Sequence, residues 1–211
     1  MITLTDILSN FGDVIELNYP RMNTNEITSL IADHKGWCPY NIRKISNRRF
    51  GLSLTSLDGG YTGIPDLDSL REYNIINSAE YTESDFKIRT PIVDSIPGLT
   101  EIFDDWDDDL GRSHFLKLKA GGFFPPHRDN GLSLPTPYFR ILIPVSGFGV
   151  NQMKWIQEDK ILQFEVGRAY FVNTTKIHSV FSFVDDCVMI VLNIAATEHS
   201  LQKICHRAAI K

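Results

Sequence analysis

From residue 112 onward the chain reads as a succession of short strands, and no other feature limits its possible folds as much. The segments are 114–119 (HFLKLK), 122–129 (GFFPPHRD), 138–144 (YFRILIP), 152–157 (QMKWIQ), 161–165 (ILQFE), 169–173 (AYFVN), 178–184 (HSVFSFV) and 187–193 (CVMIVLN). They are rich in aromatic and β-branched residues, and turn-like residues separate them. EDK at 158–160 and VGR at 166–168 read as turns between neighbours. Eight short strands at this spacing predict a two-sheet jelly roll, the cupin-like double-stranded β-helix. With flanking helices, the expected class is mostly β within α+β.

The rest of the chain has to support that barrel. TNEITSLIA from Thr24 has a cap-like start and places Ile27, Leu30 and Ile31 at helical spacing. RFGLSLTS at 49–56 reads as a strand that ends at the Asp-Gly-Gly of 58–60. A short helix is expected at 66–73 from Leu67, Leu70 and Tyr73. A longer one is expected over 99–110, where Leu99, Ile102, Phe103, Trp106 and Leu110 share a face. Its other face carries Glu101, Asp104, Asp105 and Asp107–Asp109 and reads as solvated, with fraying at the acidic last turn. The tail from 197, with Leu201 and Ile204, reads as a closing helix. We expect one domain over 1–211: a mixed support region at 1–111, a jelly-roll core at 112–196 and a C-terminal helix at 197–211.

Composition narrows the function classes. At 211 residues and 43% hydrophobic, the chain can bury a full core. A net charge of −5 argues against nucleic acid as a partner. No apolar run is long enough to span a membrane, and MITLTDILSNFGD has neither the basic region nor the apolar run of a signal peptide. Cys38, Cys187 and Cys205 read as free thiols in a reducing compartment, so a cytoplasmic location is expected.

The chemistry centres on GGFFPPHRDN at 121–130. Residues i and i+2 of a strand share a face, so His127 and Asp129 can point at one ion. In a jelly roll, a second-strand His-x-Asp and His178 at the start of the seventh strand lie at the same mouth. Two imidazoles and a carboxylate form the facial set of non-haem Fe(II) oxygenases, which leaves positions open for other ligands. Mn(II) and Ni(II) are possible substitutes for the iron. As a bare pattern, His-x-Asp is more often a surface pair; strand context and His178 favour the metal site. His34, His199 and His206 read as structural or surface residues, and His114 as the reserve ligand. Arg140, inside an apolar strand, is costly to bury unless paired, so it is the candidate anion anchor. Lys117 and Lys119 alternate with leucines and should face outward. Loops 56–65 and 130–137 are candidate rims.

These blocks resemble the aspartyl/asparaginyl β-hydroxylases, a family of Fe(II)- and 2-oxoglutarate-dependent dioxygenases. LKAGGFFPPHRD is similar to the family's Gly turn, extended approach and Pro-His before the carboxylate. GRAYFVNTTKIHSV keeps a Gly 11 residues before the distal His, and YFRILI carries an Arg on the intervening strand. The likeness covers roughly 112–195. It implies metal ligation by His127, Asp129 and His178, which are also the catalytic residues, and a 2-oxoglutarate contact at Arg140. Asn193 is implied as a polar lining residue. It further implies that Fe(II), 2-oxoglutarate and O2 convert an unactivated C–H to C–OH, giving succinate and CO2. The implied substrate is an amino acid or an Asp/Asn-type residue, as a small molecule or in a peptide. The family also carries an Arg on its last strand, where this chain has Cys187 or Val188. That departure keeps a non-catalytic cupin-like metal- or ligand-binding module as the alternative. A metal-dependent isomerase or a cosubstrate-free dioxygenase on the same barrel is a third reading. Oligomeric state is not encoded in any of these features.

Overall fold

The structure is a computed structural model that describes residues 12–129 and 138–208. The rim candidate 130–137 therefore lies outside the described residues. The first half comprises β1 (Val14–Leu17), α1 (Thr24–Ile31), β2 (Cys38–Pro39), β3 (Arg49–Ser53), β4 (Thr55–Ser56), α2 (Leu70–Asn77), β5 (Ile88–Arg89), α3 (Pro91–Asp94) and α4 (Leu99–Trp106). The second half comprises β6 (His114–Leu118), β7 (Phe123–His127), β8 (Tyr138–Ser146), β9 (Met153–Gln157), β10 (Lys160–Leu162), β11 (Ala169–Val172), β12 (His178–Ser182), β13 (Cys187–Ala195) and α5 (Glu198–Arg207).

One sheet has the order β1-β11-β8-β13-β6-β3-β2 and the other β10-β9-β12-β7, all antiparallel. Numbered from β6 to β13, strands 1, 8, 3 and 6 form one layer and strands 2, 7, 4 and 5 the other. This is the double-stranded β-helix expected from the sequence. β1, β2 and β3, from the first part of the chain, extend the larger sheet at its two edges.

Both faces of the larger sheet are covered, so its central strands read as continuous apolar runs. In β13, Ile190, Leu192 and Ile194 pack toward the helices, in a cluster with Leu99, Ile102, Phe103 and Trp106 of α4. Met189 and Val191 point between the sheets, against Leu116, Leu142, Trp155 and Val180. The period of two then places Asn193 inside the sandwich, and likewise Arg140 beside Leu142 on β8.

Several local expectations shift. Ser69 accepts from the Glu72 amide and caps α2 at Leu70–Asn77, so 66–68 precede the helix rather than open it. The 49–56 strand breaks at Leu54 into two. Residues 166–168 form no hairpin; they carry the chain from one sheet to the other. There Gly167, at φ +79°, donates to the Pro144 carbonyl at 2.7 Å and accepts from the Met22 amide at 2.9 Å.

The acidic face of α4 is paired rather than simply solvated. Asp104 and Asp107 hold Arg89 at 2.6 and 2.9 Å. Asp105 meets Tyr19, Lys203 and Arg207. Asp109 is buried and accepts from Thr197 and His199 at 2.7 and 2.8 Å, which ties α5 to the end of α4. Loop 56–65 lies on the helical side, where the Tyr61 hydroxyl accepts from the Ile92 amide at 2.9 Å, and it lines no part of the barrel cavity.

Candidate metal centre

β12 pairs with β7 so that His178 and His127 are direct cross-strand partners. Asp129, just beyond β7, is fixed by its amide donating to the Thr174 carbonyl at 2.9 Å. Antiparallel register thus brings together residues about fifty positions apart. One ligand atom from each of His127, Asp129 and His178 lies within 4.8 Å of the others, the sole such group among the described residues.

The imidazoles are oriented for ligation. His127 Nδ1 meets the Pro125 carbonyl at 2.7 Å, and His178 Nδ1 meets the Lys176 carbonyl at 3.0 Å. A carbonyl can only accept, so each Nδ1 carries the proton and each Nε2 keeps its lone pair for an ion. Burial pushes the His178 pKa down, against the opposing pull of Asp129, which favours the neutral ligand form. Burial raises the Asp129 pKa, but the Arg140 charge and its hydrogen bond pull the other way, and the carboxyl is held below its usual range. His127 Nε2 and Asp129 Oδ1 stand 3.6 Å apart, too far for a hydrogen bond and suited to sharing an ion. Trp155 stacks on His178 with centroids 5.4 Å apart and planes at 10°, and Phe124 stacks on His127 at 5.8 Å and 22°.

Arg140 lies in the middle of the larger sheet and not at an edge. Its Nε donates to Asp129 Oδ2 at 3.0 Å, while its buried Nη1 has no hydrogen-bond partner among the described residues. The guanidinium is therefore tied to the carboxylate of the ligand group. Asn193 is the cross-strand partner of Arg140, and its amide donates to Glu83 Oε2 at 2.7 Å. Glu83 also takes two bonds from Arg112, both at 2.9 Å. Arg112, Glu83, Asn193 and Arg140 thus form a polar floor beside the ligand group. His114 stands in the cavity wall against Tyr40 but outside the ligand cluster. Burial, with Arg112 and Arg140 nearby, keeps it neutral. Lys117 and Lys119 turn away from the cavity and cover the rings of Trp37 and Phe50.

The cavity beside the cluster is small, ≈ 70 Å³. Apart from the cluster, Arg140 and Thr174, its wall is aromatic and aliphatic and includes Leu116, Leu142, Val180, Met189 and Val191. Sequence reasoning passed over Tyr40, Trp155 and Glu83. Trp155 alternates inward on a recognisable strand and was within reach. Tyr40 and Glu83 sit in segments with no periodic pattern.

No family model matches the chain, and no curated protein matches it in sequence. Among solved structures it is similar to an oxidoreductase of the 2OG-Fe(II) oxygenase family from Burkholderia pseudomallei. That likeness has 13% identity and a TM-score of 0.43, over 82% of this chain and 76% of that one. The ribosomal oxygenase YcfD of Escherichia coli is similar at 15% identity and TM-score 0.33, over 52% of this chain and 32% of that one. KdgF from Halomonas is similar at 17% identity and TM-score 0.32, over 44% and 74%. Likenesses of this size leave the functional reading to the site's own geometry. No described helix is long and apolar enough to cross a membrane.

Proposed function

We propose that this protein is an Fe(II)- and 2-oxo-acid-dependent oxygenase that hydroxylates an unactivated C–H. The observation that carries this reading is the convergence of two imidazoles and one carboxylate, their ligand atoms within 4.8 Å of one another. Three protein ligands on one side leave room for a chelating ligand and O2, and this donor set suits Fe(II). When bound, the iron with its 2-oxo acid and O2 supplies the oxidising power. The chain supplies the rest. His127 and His178 offer Nε2, Asp129 offers a carboxylate oxygen, and Arg140 holds that carboxylate in place. Trp155 and Phe124 cover the imidazoles and exclude water from their faces.

The resemblance to aspartyl/asparaginyl β-hydroxylases makes 2-oxoglutarate the 2-oxo acid of this reading. It makes an amino acid, free or as an Asp/Asn-type residue, the substrate. One observation favours the alternative, a metal-binding module without catalysis: Arg140, the one arginine or lysine among the described residues lining the cavity, is already tied to Asp129. Anaerobic titration of 2-oxoglutarate into Fe(II)-loaded protein separates the two. A visible charge-transfer band marks a chelated 2-oxo acid and supports the oxygenase. Iron binding without a band for any 2-oxo acid supports the module, and failure to bind iron defeats both.

A further inference from the structure

The strand registers order the cavity wall outward from the ligand cluster. On the smaller sheet, Val180 lies two residues beyond His178 and pairs with Phe124 and Trp155. On the larger sheet, Leu142 lies two beyond Arg140 and pairs with Val191, which pairs in turn with His114. Met189 and Leu116 are partners one step further along. All of these side chains line the cavity. Beyond the cluster, Arg140 and Thr174, the described wall therefore holds His114 and otherwise only apolar or aromatic side chains.

No charge stands in that part of the wall to meet the far end of a ligand. Burial, with Arg112 and Arg140 nearby, keeps His114 neutral. Arg140 is bonded through Nε to Asp129, itself a member of the cluster, so its guanidinium stays at the metal end. Arg49 packs on the rings of Phe124 and Tyr40 and is not itself a wall residue. Residues 130–137, outside the described residues, include no Lys, Arg or His. Where the family resemblance puts an arginine, Val188 packs toward the helices and Cys187 points between the sheets. Burial pushes the Cys187 thiol up to about 12, so it carries no charge. A remote carboxylate against this wall would lose its water and gain no cation. An alkyl group is buried there favourably, and a small cavity suits a short one.

We propose that the 2-oxo acid of this site is an aliphatic monocarboxylic one, its short apolar side chain seated against Leu116, Leu142, Met189 and Val191. This rests on the oxygenase reading above and changes only the identity of its cosubstrate from the 2-oxoglutarate that the resemblance implies. The reaction balances in the same way: R–CO–COO⁻, O2 and R′–H give R–COO⁻, CO2 and R′–OH. One oxygen atom enters the new carboxylate and the other the substrate C–H, and each organic partner gives up two electrons.

The test measures equilibrium binding to Fe(II)-loaded protein without oxygen, followed by the charge-transfer band. The ligands are 4-methyl-2-oxopentanoate and 2-oxoglutarate. The wild type should bind the branched acid more tightly by at least about 100-fold, the scale set by one unpaired buried charge. Met189→Arg places a cation in the wall and should move the preference toward 2-oxoglutarate by at least about 10-fold, whereas Met189→Leu should keep it. The wild-type comparison decides on its own if Met189→Arg does not fold. Equal affinity of the wild type for the two acids, or a preference for 2-oxoglutarate, would overturn the proposal and leave the oxygenase reading intact. A folded Met189→Arg that keeps the wild-type preference would overturn it as well. If iron binds and neither acid gives a band, the oxygenase reading itself fails.

Discussion

Replacing Glu83 by Gln tests whether the polar floor of the barrel is as tightly coupled as its geometry indicates. Glu83 and Arg112 are 13% and 8% exposed at their side chains, so solvent screens the pair little. The carboxylate receives two bonds from Arg112 at 2.9 Å and one from Asn193 at 2.7 Å. Bonds to a charged group contribute roughly 1.5–3 kcal/mol each. Gln keeps the volume and one acceptor oxygen, so about half of that is lost. In addition, Arg112 is left buried with no carboxylate, and Arg140 loses one of the charges near it. Breaking a buried pair on one side costs about 3–5 kcal/mol. We expect E83Q to lower unfolding stability by about 3 kcal/mol. With a urea m-value of roughly 2–3 kcal/mol per M, the midpoint falls by about 1–1.5 M and m stays unchanged. Removing both partners in E83Q/R112M should cost less than the sum of the two single variants, because no orphaned charge remains. The acid limb gives a second readout. Burial raises the Glu83 pKa, but Arg112 and Arg140, with the bonds from Arg112 and Asn193, pull it further down. A folded pKa below the unfolded value of about 4.3 contributes stability above that value and loses it as pH falls through the folded pKa. The wild type should therefore lose stability below about pH 4 more steeply than E83Q. A loss under about 1 kcal/mol with parallel acid limbs would refute the coupling.

Two further substitutions probe the ligand cluster and the barrel. His178→Ala should weaken Mn(II) or Fe(II) binding by at least about 100-fold in calorimetric titration while leaving far-UV circular dichroism unchanged, since even supporting residues of metal sites commonly cost 10- to 100-fold; unchanged affinity would remove His178 from the ligand set. Gly147 sits at φ +73°, and a Cβ there would come 2.6 Å from the Cys187 Cα, a backbone atom that cannot swing aside. Gly147→Ala should cost more than about 1 kcal/mol in thermal or urea unfolding, and a neutral result would show that the β8 exit is not held against β13.

The barrel was legible because its signal is local. Short runs of aromatic and β-branched residues between turns mark the strands, with alternation clear in β9, and the continuous apolar run of β13 reports a strand buried on both faces. The grouping of His127, Asp129 and His178 was legible for the same reason: His127 ends β7 with Asp129 two residues on, and His178 opens another strand whose rank in a jelly roll fixes its neighbour. Charged groups were legible only as questions. Arg140 on an apolar strand announced that it needed a partner, but the partner, Asp129, became visible only through the β7–β12–β8 arrangement. Asp105 and Asp109 read as solvated because their partners, Lys203, Arg207 and His199, arrive about ninety to a hundred residues later on α5. Glu83 lies in a short polar 3-10 turn that carries no pattern at all, yet it docks against Arg112, just before β6, and Asn193 on β13. Pairing is therefore the information that sequence periodicity lacks. That is also why Arg49 stands out only in three dimensions. In the sequence it is one more basic residue at the start of a strand, beside Arg48. Folded, it is buried against the rings of Phe124 and Tyr40, and unlike Arg112 and Arg140 it meets no carboxylate among the described residues.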